Sequence, residues 1–141
     1  MPSYTITSAR LSYAGAARML AAAVAKAEAM RIPACVAVTD PGGNAIAFAR
    51  IDGAAGLASG PAFRKATVAA ERGHASGALP KEYEIGVAFA TEGRYTNLPG
   101  GLPVVIDGQV VGGIGVSGGS GDDDLAIARA GLAAIGAGEK A

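Results

Sequence analysis

The chain has 141 residues, with twelve basic side chains against twelve acidic ones and a single cysteine and histidine. That length suits one domain, residues 1–141, with one core; balanced charge without a run of either sign excludes a nucleic-acid footprint or an anionic membrane surface as the main partner and leaves a small molecule. Cys35 alone allows neither an intramolecular disulfide nor a cysteine-based zinc site within one chain, which suits a reducing, cytoplasmic setting.

Half the residues are apolar, yet aromatics make up only 5%, so the core is expected to be built from Ala, Val, Ile and Leu with close backbone contacts. Small-residue packing of this kind often continues across subunits, so a homo-oligomer is in keeping with the composition. The first thirteen residues, MPSYTITSARLSY, contain no apolar core before a cleavage site. The alanine-rich segment after them carries Arg18, Lys26, Glu28 and Arg31, so neither a signal peptide nor a membrane span is expected.

In chain order, Ser12 is placed to cap a helix over residues 13–31, where Ala17, Leu20, Ala21, Val24 and Ala27 recur at helical spacing. Pro33 ends it. Residues 35–39, CVAVT, read as a short buried strand closed by the turn Asp40-Pro41-Gly42-Gly43. A second strand over residues 44–51 alternates, with Ile46, Phe48 and Arg50 on one face, and Asp52-Gly53 breaks it. Gly60-Pro61 opens a second helix, expected to run to about residue 75, with Gly73 weakening its last turn. Residues 76–101 are punctuated by glycine and proline and predict a lid or pocket wall, with room for a short helix near residues 81–89.

Asp107-Gly108 between Val104-Val105-Ile106 and Val110-Val111 is a two-residue hairpin signal. Gly112, Gly113 and Gly115 sit inside the second strand of that hairpin, where they weaken it unless a backbone, a helix or a ligand must come close. Ser120 and Asp123 make a capping-box start for a last helix carrying Leu125, Ile127, Ala128 and Leu132. An additional strand is expected at residues 94–98 or 5–9, and residues 136–141 are expected to fray.

Few residues are equipped for chemistry. His74 reads either as a polar residue at a helix C-terminus, interacting with the last carbonyls, or as an axial ligand to an iron porphyrin, a role for which one imidazole suffices. Arg50 offers a bidentate fork to a carboxylate, and Lys65, if desolvated, a movable proton. Asp52 and Glu92 are the acids expected beside Lys65, and Arg64 shares its helix. The pairs Gly42-Gly43, Gly100-Gly101 and Gly118-Gly119 are candidates to present backbone N–H groups to an anion, although none fits a Walker or dinucleotide fingerprint. Asp122, Asp123 and Asp124 suit the positive end of a helix better than a metal, and no metal site is expected.

The blocks VAVTDPGGNAIAFARIDGA, FRKATVAA and LPGGLPVVIDGQVVGGIGVSGGSGDDDLAIARAGL, with the alanine-rich helix before them, resemble the GlcG/HbpS family, also called the haem-degrading domain family and related to the C-terminal domain of PduO-type proteins. The resemblance covers nearly the whole chain. It implies an α+β fold of the profilin-like type, a three-layer α/β/α sandwich with a five-stranded antiparallel sheet, and assembly into dimers or larger oligomers. Some members are extracellular haem sensors, some are fused to cobalamin adenosyltransferases, and many are encoded beside catabolic enzymes for hydroxy acids or aromatic compounds. Lys65 falls on the family's lysine, and Arg50 and Asp52 fall on its Arg-x-Asp-Gly block; Asp122-Asp123-Asp124-Leu125 departs from a Glu-Gln-Asp-Glu-like family segment by losing its last acid. Two functions follow as expectations. One is a small-ligand protein that binds haem or another tetrapyrrole, with His74, Gly100 and Gly101 at the cofactor. The other is a metal-independent catabolic isomerase, lyase or hydrolase acting on a small carboxylated substrate, with Arg50 as anchor and Lys65, helped by Asp52 or Glu92, as proton carrier.

Overall fold

Ser12 caps the first helix as its sequence suggests, its Oγ accepting the Gly15 N–H at 3.0 Å, and Ala16, Met19, Ala23 and Ala27 then fall on one buried stripe. The structure, a computed structural model, describes residues 2–141. Its helices are α1 (Tyr13–Ala29), α2 (Ser59–Arg72), α3 (Glu84–Ala90) and α4 (Gly121–Ala134), and its strands β1 (Cys35–Thr39), β2 (Ala45–Arg50), β3 (Gly101–Ile106) and β4 (Gln109–Ser117). Gly73, at φ 73°, ends α2 rather than weakening it: its left-handed backbone turns the chain out and its N–H returns to the Ala69 carbonyl.

The strands form one antiparallel sheet in the order β2-β1-β4-β3. Alternate residues of β4 serve its two faces. Ile114 and Val116 point with Val36, Val38, Leu102 and Val104 into the main core against Met19, Ile127 and Leu132 of α1 and α4. Gly113 and Gly115 point the other way, where a Cβ would overlap the carbonyl oxygens of Ala66 and Ala62. The expected close approach is therefore made by α2, which lies on the sheet backbone to backbone with small side chains such as Cys35, Ala37, Ala62 and Ala66 between them. One face is thick and built of branched side chains, each contributing about 1.5–3 kcal/mol when fully buried; the other is thin and depends on the absence of side chains.

The sheet has four strands, which corrects the expectation of five. Residues 94–98 make no ladder because side chains hold them: Tyr95 N–H donates to Thr91 Oγ1, Leu98 N–H to Thr96 Oγ1, and the Leu98 carbonyl accepts from Ser76 Oγ. Residues 5–9 stay outside the sheet: the Ala9 N–H reaches only the Gln109 side-chain carbonyl at 3.4 Å, and the first backbone-to-backbone bond to β4 is from Leu11 N–H to the Val111 carbonyl. The outer edge of β3 also has no room for another strand. Residues 101, 103 and 105 face it. Gly101 exchanges hydrogen bonds with Ser76, Pro103 has no N–H to offer, and Val105 exchanges two 2.9 Å bonds with Gly138. That last bridge, with the Arg129–Glu139 ion pair at 3.0 Å, ties down the tail that was expected to fray.

The Asp107-Gly108 turn has positive φ at both residues, 51° and 74°, the geometry that favours a tight hairpin. At the start of α4 the capping box is complete, Ser120 Oγ accepting from Asp123 N–H at 3.1 Å while Asp123 Oδ2 accepts from Ser120 N–H at 3.4 Å.

Candidate functional site

Lys65 extends from α2 past the start of β3. Its Nζ donates to the Val116 carbonyl at 2.8 Å and to Asp124 Oδ2 at 3.1 Å, with the two side chains 5% and 3% exposed. Asp124 Oδ1 accepts the Gly119 N–H at 2.9 Å. Burial pushes the Asp124 carboxyl above its ordinary pKa, and the Gly119 N–H and the Lys65 ammonium pull it only part of the way back. Gly100 and Gly101 form the wall of this pair: a Cβ on Gly100 would lie 3.0 Å from Lys65 Nζ, and one on Gly101 would overlap the Lys65 carbonyl. Lys65 is thus an internal tie between α2 and α4.

The other expected site residues lie elsewhere. Arg50 and Asp52 are exposed; Arg50 is at the end of β2, opposite Cys35 and two strands from the β4 carbonyl that holds Lys65, a span of about 10 Å at normal strand spacing. Asp40 closes the opposite end of β1, and Arg50 and Asp52 are not brought to Lys65. Glu92 is exposed after α3 at φ 56°, next to Phe89 in a shallow apolar depression. His74 is exposed just beyond α2, with Nδ1 3.0 Å from the Ala75 carbonyl.

None of the glycine pairs forms an anion nest. Asp40 Oδ1 takes the N–H groups of Gly42 and Asn44, Gly43 N–H donates to the Asp40 carbonyl, Gly101 N–H to Ser76, and Gly119 N–H to Asp124. Partial burial works to raise the Asp40 pKa, but hydrogen bonds from Asn44 and Gly42 and the field of Arg10 outweigh it and hold the group below its ordinary value. Among the described residues no cluster of three or more His, Cys, Asp or Glu is placed to hold a metal ion.

Among the concave features of the surface, two involve the segment 76–101 that the sequence marks as a pocket wall. The first is a cavity of about 200 Å³ between the outer face of α2, the β1–β2 turn and the end of α3; it is lined by Phe63, Arg64, Glu71, Arg72, Arg94 and Tyr95 among others. The second is a groove of about 480 Å³ along α3, lined by Ile85, Ala88, Phe89, Tyr95, Asn97 and Leu98 among others. Tyr95 borders both. Ile85 and Phe89 are 70% and 83% exposed, far more than large apolar side chains ordinarily are on a helix packed against a domain. Asn97 holds the groove's loop, donating to the Leu79 carbonyl and Glu84 Oε2 while accepting from Leu79 N–H.

Sequence reasoning singled out Arg64 but not Arg72, Arg94 or Tyr95. A legible signal was the spacing of Arg64, Thr67, Val68, Glu71 and Arg72, which puts all five on one stripe of α2.

The family model for haem degrading protein HbpS-like matches residues 11–133. The chain belongs to this family. The GlcG protein of Escherichia coli strain K12 is 36% identical over 108 residues, 76% of this chain and 81% of GlcG. Among solved structures, the haem complex of PduOC superimposes with a TM-score of 0.85 at 28% identity, covering 94% of this chain and 99% of that one. A double mutant of HbpS from Streptomyces reticuli gives a TM-score of 0.83 at 34% identity, covering 96% and 93%. The corrinoid adenosyltransferase PduO of Salmonella typhimurium is 30% identical over 137 residues, 94% of this chain but only 41% of PduO. The chain therefore shares its fold with haem-associated HbpS-like proteins. No helix among the described residues is long and apolar enough to cross a membrane.

Proposed function

We propose that this HbpS-like protein binds haem or a closely related tetrapyrrole, and that the α3 groove is where it does so. The observation that carries this reading is the similarity, over almost the full length of both chains, to a relative solved as a haem complex. The groove supports it. Its volume of about 480 Å³ lies in the range of cofactor sites, and Ile85, Phe89 and Leu98 offer an apolar shelf for a porphyrin face. A contiguous apolar patch of this kind on the surface marks a binding surface. The Tyr95 phenol at its edge is an oxygen donor of a type that ferric haem accepts, and the groove is open on one side, leaving ionised propionates in water. His74 lines neither cavity and is the alternative donor. When bound, the iron porphyrin supplies redox and diatomic-ligand chemistry; the chain's own residues cover one porphyrin face and present a ligand.

Titration of the full chain with hemin tests this. A saturable Soret shift at one haem per subunit or per dimer is expected, weakened at least tenfold by Phe89→Glu. Loss of the charge-transfer and Soret signature in Tyr95→Phe assigns the ligand to the phenol, and loss in His74→Ala assigns it to the imidazole. A hemin spectrum that never saturates overturns the proposal.

A further inference from the structure

The cavity behind Tyr95 differs in character from the groove in front of it. At about 200 Å³ it is smaller than the roughly 300 Å³ at which cofactor and drug-sized sites begin, so a tetrapyrrole does not fit it. Its lining carries three guanidiniums, Arg64, Arg72 and Arg94, against a single carboxylate, Glu71. In a chain whose charges balance overall, that is a concentrated positive site. The arginines have no anionic partner of their own. Among the described residues the ion pairs are Lys65–Asp124 and Arg129–Glu139, and neither involves this cavity.

The remaining surfaces point to the rest of the ligand. Phe63, Val68 and Tyr95 give the cavity an apolar side, and the Arg64 guanidinium stacks over the Phe63 ring at 5.4 Å, which leaves its in-plane N–H donors available for an acceptor. Neighbouring donors are already occupied. Thr67 Oγ1 shares its one proton between the Phe63 and Gly43 carbonyls, the Asn44 amide is held by Asp40, and Arg94 Nε donates to the Thr91 carbonyl at 3.4 Å, so the remaining guanidinium N–H groups, with the Tyr95 phenol, are the donors left for an anion. Guanidiniums match carboxylates in paired N–H···O geometry, and a ligand with an apolar body matches the ring-lined side.

We infer that this cavity is a binding site for a small organic carboxylate, with Arg64, Arg72 and Arg94 holding the carboxylate and Phe63, Val68 and Tyr95 holding an apolar body of about the size of a single ring. The site adjoins the tetrapyrrole groove, with Tyr95 as the wall they share, and is formed in the haem-free chain.

Isothermal titration of the full chain with benzoate, benzyl alcohol and inorganic phosphate tests this. Benzoate is expected to bind saturably and to weaken as salt is raised. Benzyl alcohol, which keeps the ring and lacks the charge, and phosphate, which keeps charge and lacks the ring, are each expected to bind at least tenfold more weakly. Arg72→Gln and Arg94→Gln change exposed side chains and leave the fold intact, so a loss of at least fivefold in benzoate affinity in each reports the site itself. Arg64→Gln is expected to lose more, with Arg64→Lys recovering charge but not fork geometry. Absence of saturable benzoate binding, equal binding of benzoate and benzyl alcohol, phosphate binding as tight as benzoate, or affinity unchanged in Arg72→Gln and Arg94→Gln each overturns the inference.

Discussion

The Lys65 ammonium and the Asp124 carboxylate meet at 3.1 Å inside the protein, joining the helix on one face of the sheet to a helix on the other. A buried pair of this kind is strongly destabilising to break from one side, because the remaining charge is left without a partner, while replacing both members by apolar groups is often neutral. Lys65→Met and Asp124→Leu are each expected to lose about 3–5 kcal/mol of unfolding free energy in urea, and the double variant much less than their sum. Additive losses would mean that the two groups are not coupled.

Asp40 makes a separate contribution that varies with pH. Its carboxylate holds the β1–β2 turn through Gly42 and Asn44, and its pKa is lowered in the folded state. A lowered folded-state value means that the unfolded chain binds the proton more readily in the intervening window. The stabilisation is therefore complete above the ordinary aspartate value of about 3.9 and lost as pH falls through the folded-state pKa. Asp40→Asn should lower stability at neutral pH and flatten the acid limb of a pH–stability profile; an unaltered acid limb counts against the turn as its source.

The thin face predicts intolerance of a single methyl. Gly115→Ala places a Cβ into the Ala62 carbonyl, and neither backbone can move without separating α2 from β4. A loss of about 3 kcal/mol or more is expected, at the upper end for overpacking, whereas Gly108→Ala, with open space around it, should show only the strain of its positive φ. Chemical denaturation of the two variants side by side makes the comparison.

Thr39 Oγ1 is fully buried and is the one such side-chain atom among the described residues without a hydrogen-bond partner. Thr39→Val keeps the shape and removes the orphaned hydroxyl, so a gain of about 1 kcal/mol is expected in thermal or urea unfolding. A loss of similar size would show that the hydroxyl is satisfied.

Local signals in this chain were legible because short-range chemistry decides them. Ser12 and Ser120 cap helices, Asp107-Gly108 turns a hairpin, and the β4 glycines announce a close neighbour. What stayed hidden depends on lateral order. Nothing near Arg50 says that β2 is the outer strand, so Arg50 and Lys65 read as neighbours when two strand positions separate them. Asp124 reads as a helix-dipole residue because its partner lies 59 positions earlier on a different helix. The pocket wall over residues 76–101 was recognisable by its glycines and prolines, but its shape is set by side-chain bonds from Ser76, Thr91 and Asn97 that no periodicity encodes.

The closed outer edge of β3 bears on how molecules of this protein can meet. Ser76, Pro103 and Gly138 leave that side with no usable row of donors and acceptors, whereas among the described residues no hydrogen bond of this kind blocks β2, the opposite border. For strand-to-strand association the sheet has a valence of one. A strand added at the β2 border would leave the enlarged sheet still closed at its β3 end.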